Sequence, residues 1–323
     1  MDGGGNAGPT KFQVLATKGV PTFLLLEGAA ASKVVAACGD AEGERLGALA
    51  MGIEGRLPPP EDRPWPGGFA VTLAELAAGD FFPRDADPAG PAAPDHALYR
   101  ALAGGRYVRA VNFHATPESL AGPLEKQLSR LAAAFAPVSY GDLVRLVETG
   151  EWRHDRPGVI LNFFDGFRDN FGVVAPILDR LGMVGWFFVV SGWITTPPED
   201  QRYFARRHTI DLPYHEEDLP ADGRIALSPE ELRDLAERGH VVASHTRTHV
   251  SASAGPAPSV PPAALEREVV ASKRDLEEIA CLPVGALAWL EGAALGANAG
   301  ADEALVKAGY RLLFANHAVQ RVS

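Results

Sequence analysis

The sequence predicts an α/β protein whose parallel sheet closes into a complete or distorted barrel. Three observations point there. From about residue 105 onward, short apolar runs alternate with amphipathic helical stretches, the signature of parallel strands joined by helices. At least one run, Val159–Phe163, is almost wholly apolar, which suits a strand covered on both faces. Six or more such units are packed into about 215 residues, too many for a short open sheet.

The elements follow in order. Arg109–His114 reads as a strand, and Thr116-Pro117 as the N-cap and first residue of a helix with Leu124, Leu128, Leu131 and Phe135 on one face. Gly141–Glu148 is a shorter helix, Val159–Phe163 a strand, Phe171–Leu181 a helix and Gly185–Val190 a strand. Ser228-Pro229-Glu230-Glu231 forms a capping box, and Gly239 ends that helix. Then come a strand at Val241–Ser244, a long helix at Ala263–Ile279, a strand at Ala286–Leu290, a helix at Asp302–Ala308 ended by Gly309, and a last strand at Arg311–Ala315.

Residues 1–105 have a different texture and are expected to form an appended α/β extension, with the barrel over 106–323. Lys11–Ala16 and Pro21–Leu26 read as strands, Ala29–Cys38 and Ala41–Met51 as helices. The Pro/Gly-rich stretches Leu57–Gly68 and Phe82–Pro94 follow. The extension is expected to cover the barrel or to build a homo-oligomer.

Composition narrows the partners. Hydrophobic residues make up 46% and charged residues 22% of the 323 residues, an ordinary globular balance that excludes wholesale disorder. The net charge is −11 and no Lys/Arg-rich run occurs, so nucleic acid and anionic membranes are excluded as partners. No apolar run approaches the roughly 18–20 residues of a membrane helix. The first residues, Met-Asp-Gly-Gly-Gly-Asn, hold neither a basic nor an apolar leader region, which predicts a cytoplasmic protein meeting small molecules. The two cysteines, Cys38 and Cys281, sit among apolar neighbours and read as buried thiols rather than a redox pair.

In parallel barrels the reactive groups gather at the C-terminal ends of the strands. Val159–Phe163 runs into Phe164-Asp165-Gly166, and Val241–Ser244 into His245-Thr246-Arg247-Thr248-His249. One carboxylate and a His-x-x-x-His pair thus fall on one rim, a three-ligand set that leaves positions open for an activated water. The two imidazoles favour zinc, with manganese, cobalt, nickel or iron as alternatives. The plain alternative is a pair of surface histidines and a loop carboxylate.

These same residues carry a resemblance. Gly158–Asn170 is similar to the first motif of the polysaccharide deacetylase (NodB-homology, carbohydrate esterase) family, Thr-Phe-Asp-Asp-Gly followed by Tyr/Phe-x-Asp-Asn. Gly239–His249 resembles its second motif, Gly-His-Glu-Ile-Gly-Ser-His-Thr-x-x-His. Val111–His114 resembles the opening strand, Leu287–Gly292 the Phe-Ala-Tyr-Pro-Tyr-Gly stretch, and Ala308-Gly309-Tyr310 a late Gly-Tyr. The resemblance spans about residues 108–323. It implies a distorted (β/α) barrel, metal-dependent removal of acetyl groups from N-acetylated sugars, and Asp165, His245 and His249 as metal ligands.

The departures are as informative. The aspartate that serves the family as general base falls on Phe164, which cannot accept a proton; losing such a base removes about 10²–10⁴ in rate. The Pro-Tyr pair becomes Leu290-Glu291, and the late Leu-His motif has no counterpart whose surroundings match, His317 lying nearest. Two readings follow. In one, the protein is a hydrolase of a C–N amide bond on a small acylated substrate, with Glu291 as relocated base and His208, His215, Glu216 and Glu217 as weaker candidates. In the other, the barrel binds a ligand without hydrolysing it. Phe164, His114, Trp289 and Trp193 are the expected substrate-binding residues. Trp193 stands at a strand end, whereas Trp186, Phe187 and Phe188 are equally explained by a buried strand. Ser251–Pro262 reads as a flexible connector or a lid, Gly292, Gly296 and Gly300 as a loop, and Asp169 and Asn170 as fixing a turn.

Overall fold

The computed structural model describes residues 24–26, 107–212, 222–252, 260–315 and 319–322. Most sequence expectations for residues 1–105 lie outside them, as do His215, Glu216, Glu217 and His317.

The strands are β1 (Leu24–Leu26), β2 (Tyr107–Phe113), β3 (Ala136–Pro137), β4 (Gly158–Asp165), β5 (Gly185–Val189), β6 (Val241–Ser244), β7 (Ala286–Ala288), β8 (Leu312–Phe314) and β9 (Val319–Arg321). They make one sheet in the order β1-β2-β4-β5-β6-β7-β8-β9, with β3 on the early part of β4. β2 and β4 through β8 run parallel, and β1 and β9 close the two ends antiparallel. The result is a curled half-barrel rather than a closed one. Leu24–Leu26, from the extension, pairs with Tyr107–Arg109.

Alternation along the strands separates two cores. Phe113, Val159, Leu161, Phe163, Phe187, Leu287 and Leu313 pack against the helices. Ala110, Ile160, Trp186, Phe188, Ala243, Ala288, Leu312 and Phe314 fill the inside of the curl. An aromatic ladder runs across each face, Phe113–Phe163–Phe187 outside, at centroid spacings of 5.0 and 5.3 Å, and His114–Phe164–Phe188 inside, at 5.5 and 5.0 Å. Such in-register pairs between neighbouring strands fix the register.

The helices are α1 (Ala121–Ala134), α2 (Tyr140–Thr149), α3 (Ala175–Leu181), α4 (Ser191–Ile194), α5 (Pro198–Arg207), α6 (Pro229–Glu237), α7 (Ser272–Ala280) and α8 (Ala299–Ala308). Among the described residues no helix is long and apolar enough to cross a membrane. Capping boxes at Ser139 and Ser228 start α2 and α6, the second as the sequence predicts. α2 sends Leu143, Val144, Leu146 and Val147 into the inner core beside Trp152. Among the described residues it thereby plugs the end of the curl where the strands begin and leaves the other end open.

Several expectations need correction. Thr116 does not cap α1: its hydroxyl donates to Asp169 Oδ1 at 3.1 Å, and a short turn at Glu118–Leu120 intervenes before the helix. The run 263–279 is helical as expected, but it opens with a tight turn at Pro262–Ala264 and widens to π geometry over Glu266–Ala271 before α7. Gly300 lies within α8, which Asn298 caps. Cys281 is exposed, ending α7 in a left-handed conformation (φ 55°), because it faces solvent at the turn rather than the core.

His240, just before β6, is buried with its Nδ1 accepting the Gly185 N–H at 3.2 Å and Nε2 3.3 Å from Asp179 Oδ1. Burial pushes its pKa down, against the pull of Asp179. A histidine with a depressed folded pKa contributes stability above the unfolded value of about 6.5 and loses it as pH falls through the folded pKa. The urea midpoint is therefore expected to drop between pH 7.5 and 5.0, and to drop less in His240→Gln. An equal drop in both proteins refutes the assignment.

Candidate metal centre

β4 ends at Asp165, which is 2% exposed and adopts φ 73°. An aspartate tolerates this left-handed backbone better than most side chains. Gly166 (φ 95°) then turns the chain away, and the Asp165 carbonyl accepts the Val190 N–H at 3.1 Å. The Asp165 carboxylate thus lies at the C-terminal rim, as the sequence predicts.

The second motif leaves β6 at Ser244. His245 Nδ1 meets the Ala288 carbonyl at 2.8 Å, and His249 Nδ1 meets the His208 carbonyl at 2.8 Å. A carbonyl only accepts, so both Nδ1 atoms carry the proton and both Nε2 lone pairs are turned the other way. They face one oxygen: Asp165 Oδ1 lies 3.7 Å from His245 Nε2 and 3.4 Å from His249 Nε2. Burial, reinforced by the neighbouring His249, pushes the His245 pKa down to about 3, so its ring is neutral.

This donor set fits a divalent cation. Two imidazole lone pairs and a carboxylate oxygen converge within 4.8 Å of one another. Lone pairs facing lone pairs repel unless a positive charge lies between them, and the neutral His245 supplies none. Three donors held at about 2.0–2.2 Å around a tetrahedral ion stand roughly 3.4 Å apart, close to the spacings observed. Imidazoles whose other nitrogen is held by a carbonyl are the usual supported form of such ligands.

The loop that carries the histidines is pinned at several points. Glu268, 1% exposed, accepts the Thr248 N–H at 2.8 Å and the Thr248 hydroxyl at 2.9 Å. Thr246 Oγ1 accepts the Val250 N–H, and Ser244 Oγ accepts the Thr246 N–H, both at 3.1 Å. Arg247 pairs with Asp275. Against this loop lies α4, where Gly192 donates its N–H to the Arg247 carbonyl at 2.9 Å. A Cβ at Gly192 would stand 2.5 Å from that carbonyl oxygen, so only glycine allows the approach. On the other side, Asn170, fully buried, donates to the His114 carbonyl at 3.0 Å and to Thr116 Oγ1 at 2.9 Å, tying the turn after β4 to the end of β2.

A cavity of about 220 Å³ opens over the triad. Asp165, His245, His249, Phe164, His114, Trp289 and Glu291 all line it, so the curl gathers these residues from four different strand ends. Phe164 stands where the resemblance expects a base; its ring stacks on His114 and Phe188 and lies 5.1 Å from that of His245. Glu291 is exposed in the Leu290–Gly292 turn, at φ 64°. The Leu290 N–H donates to the Val250 carbonyl at 3.1 Å, joining this turn to the histidine loop.

Trp193 is a correction. It is fully buried, its Nε1–H donates to the Gln201 carbonyl at 3.0 Å, and its ring packs edge-on to Phe167. It leaves the end of β5 on the helix-facing side, so it is core and not cavity wall. His208 contributes its carbonyl to His249, while its ring lies against Phe204. The Ser251 carbonyl accepts the Val260 N–H at 2.8 Å, which brings the ends of the proline-rich segment together. The sequence reading missed Glu268, which looks like one more charge on a helix face. It also missed Asn112 and Asn162, which line the cavity and occupy equivalent places in two apolar strands, each two residues before His114 or Phe164.

Comparison with known proteins speaks to the family and the fold. The family model described as polysaccharide deacetylase matches residues 153–313. Among solved structures, IcaB from Ammonifex degensii is similar over 66% of this chain and 86% of its own, at 18% identity and a TM-score of 0.50. A de-N-acetylase from Aggregatibacter actinomycetemcomitans matches 64% of this chain and 87% of its own at 20% identity and a TM-score of 0.47. The Streptococcus pyogenes deacetylase PplD, solved with acetate, covers 62% and 80% at 16% identity and a TM-score of 0.47. No curated protein gives a significant sequence match. Residues 153–313 form a polysaccharide deacetylase domain.

Proposed function

We propose that the protein is a metal-dependent hydrolase of a C–N amide bond in a small acylated substrate, an N-acylated amino sugar or secondary metabolite. The observation that carries this reading is the convergence of Asp165, His245 and His249 in one buried rim, with both imidazoles turned by backbone carbonyls to offer Nε2. A divalent cation held there, zinc first, supplies Lewis acidity and a water of lowered pKa.

The remaining work falls to the chain. Ala288 and His208 hold the imidazoles by their carbonyl oxygens. Phe164, His114 and Trp289 wall the cavity and keep bulk water from the acyl group. Glu291 accepts a proton from the attacking water and returns it to the departing nitrogen. The water oxygen bonds to the acyl carbon as the C–N bond breaks, leaving a carboxylic acid and an amine. No proton acceptor stands at Phe164, so the base acts from the Leu290–Gly292 turn instead.

One observation favours a second reading. The Phe164 ring, packed between His114 and Phe188, places hydrocarbon beside the triad and suits a barrel that binds its ligand without hydrolysis. A panel of N-acylated glucosamines and other acylated amines, followed by NMR with added zinc, manganese or cobalt, separates the two. Release of amine that stops with a chelator and returns with metal supports the hydrolase. Binding with no release from any member hands the site to the second reading.

A further inference from the structure

The cavity does not end at the metal-binding rim. It reaches down between β2 and β4 to Asn112 and Asn162, which stand opposite each other in the parallel register. Asn162 Nδ2 donates to Asn112 Oδ1 at 2.9 Å. Asn162 is 1% exposed, and its Oδ1 is buried with no hydrogen-bond partner among the described residues. Asparagine is depleted in strands, and an unmet buried carbonyl carries a desolvation cost that a hydrocarbon of the same shape does not. Along β4 its neighbours on the inner face are Ile160 and Phe164, both apolar, and the Asn112 amide meets only its Nδ2.

We propose that Asn162, positioned by Asn112, is a subsite for a hydrogen-bond donor at the far end of the substrate's acyl arm. The proposal rests on the hydrolase reading only for the word acyl; the acceptor is there whichever reading holds. The floor lies two residues below Phe164, about 7 Å along the strand. An acetyl methyl at the rim does not reach it, whereas an arm of roughly four carbons ending in O–H or N–H does. The cavity, at about 220 Å³, is several times the roughly 30 Å³ share of one water, so it has room for such an arm. Phe164, His114 and Phe314 then form an apolar sleeve around the methylenes, and Asn162 reads the terminus.

Three probes test this: glucosamine N-acylated with 4-hydroxybutanoyl, with pentanoyl (a methyl in place of the hydroxyl) and with 4-oxopentanoyl (an acceptor only). Binding is measured by calorimetry on zinc-loaded and metal-stripped protein, and amine release separately. The hydroxyl probe is expected to bind about tenfold tighter than the other two in both forms. In Asn162→Leu the three should bind within about twofold of one another. Asn162→Ala removes the carboxamide without adding bulk and should do the same, which covers a leucine variant that fails to fold. Equal binding of the three to the wild type overturns the subsite, because a trapped water alone would then explain the asparagine; so does tighter binding of the ketone, or no binding of any probe. Amine release without discrimination leaves the hydrolase and removes the subsite. Discrimination without release leaves the subsite and removes the hydrolase.

Discussion

Asp165→Asn is expected to cut affinity for divalent metal by more than about a hundredfold, measured by elemental analysis after dialysis and by competition with a chromogenic chelator. The wild type should retain about one equivalent per chain. The reasoning is electrostatic. Among the described residues Asp165 brings the only carboxylate in the converging set, and both Nε2 lone pairs are turned toward it. Losing a residue that merely supports a ligand costs 10–100-fold, so neutralising a ligand costs more. Asparagine keeps the size and tolerates the left-handed backbone at φ 73°, so the fold should survive. Alanine there adds about 1 kcal/mol of backbone strain and confuses the two effects. His245→Ala should empty the site as fully. Metal retained undiminished by both variants would mean that the three residues meet for another reason.

The second large effect is at Glu291. On any substrate the wild type turns over, Glu291→Gln should lower kcat by about 10²–10⁴ while KM and metal content stay within about threefold of the wild type. Its side chain lies on the same cavity as the triad, and its turn is joined to the histidine loop through Leu290 and Val250. Glutamine keeps the shape of the side chain and removes only its capacity to take a proton. Glu291→Asp should recover part of the rate, because a shorter carboxylate still accepts one. If glutamine leaves kcat intact, the proton goes elsewhere and Glu291 is a rim residue.

Much of this was legible because strand ends and motifs are local. β6 spans Val241–Ser244 as its pattern predicts, and the capping box at Ser228 starts α6 at Pro229, because a helix start is written in four consecutive residues. The triad was readable for the same reason: Asp165 closes β4, and His245 and His249 lie in the loop that leaves β6. What failed depends on distant partners. Thr116 has the look of an N-cap, yet Asp169, far along the chain, takes its hydroxyl. Trp193 comes soon after a strand, but it lies within α4, which turns it into the core. The run 263–279 has helical periodicity throughout, whereas lodging Glu268 under Thr248 accompanies a widened turn that periodicity does not encode. β3, two residues long, and β9, three, are too short to show a period. The Asn112–Asn162 pair was hidden because its meaning lies in the alignment of two strands and not in either one.

The left-handed backbones around the cavity have a consequence for any attempt to harden this protein. Asp165, Thr209, Thr246, His249 and Glu291 all adopt positive φ without being glycine, and each such residue costs on the order of 1–3 kcal/mol. Two of them are threonines, whose branched side chains suit that conformation least. A directed-evolution campaign scored on heat resistance alone would find its cheapest gains here, by installing glycine. It would therefore erode the ligand rim before it touched the core, and a thermostable lineage would be the one in which activity disappeared first.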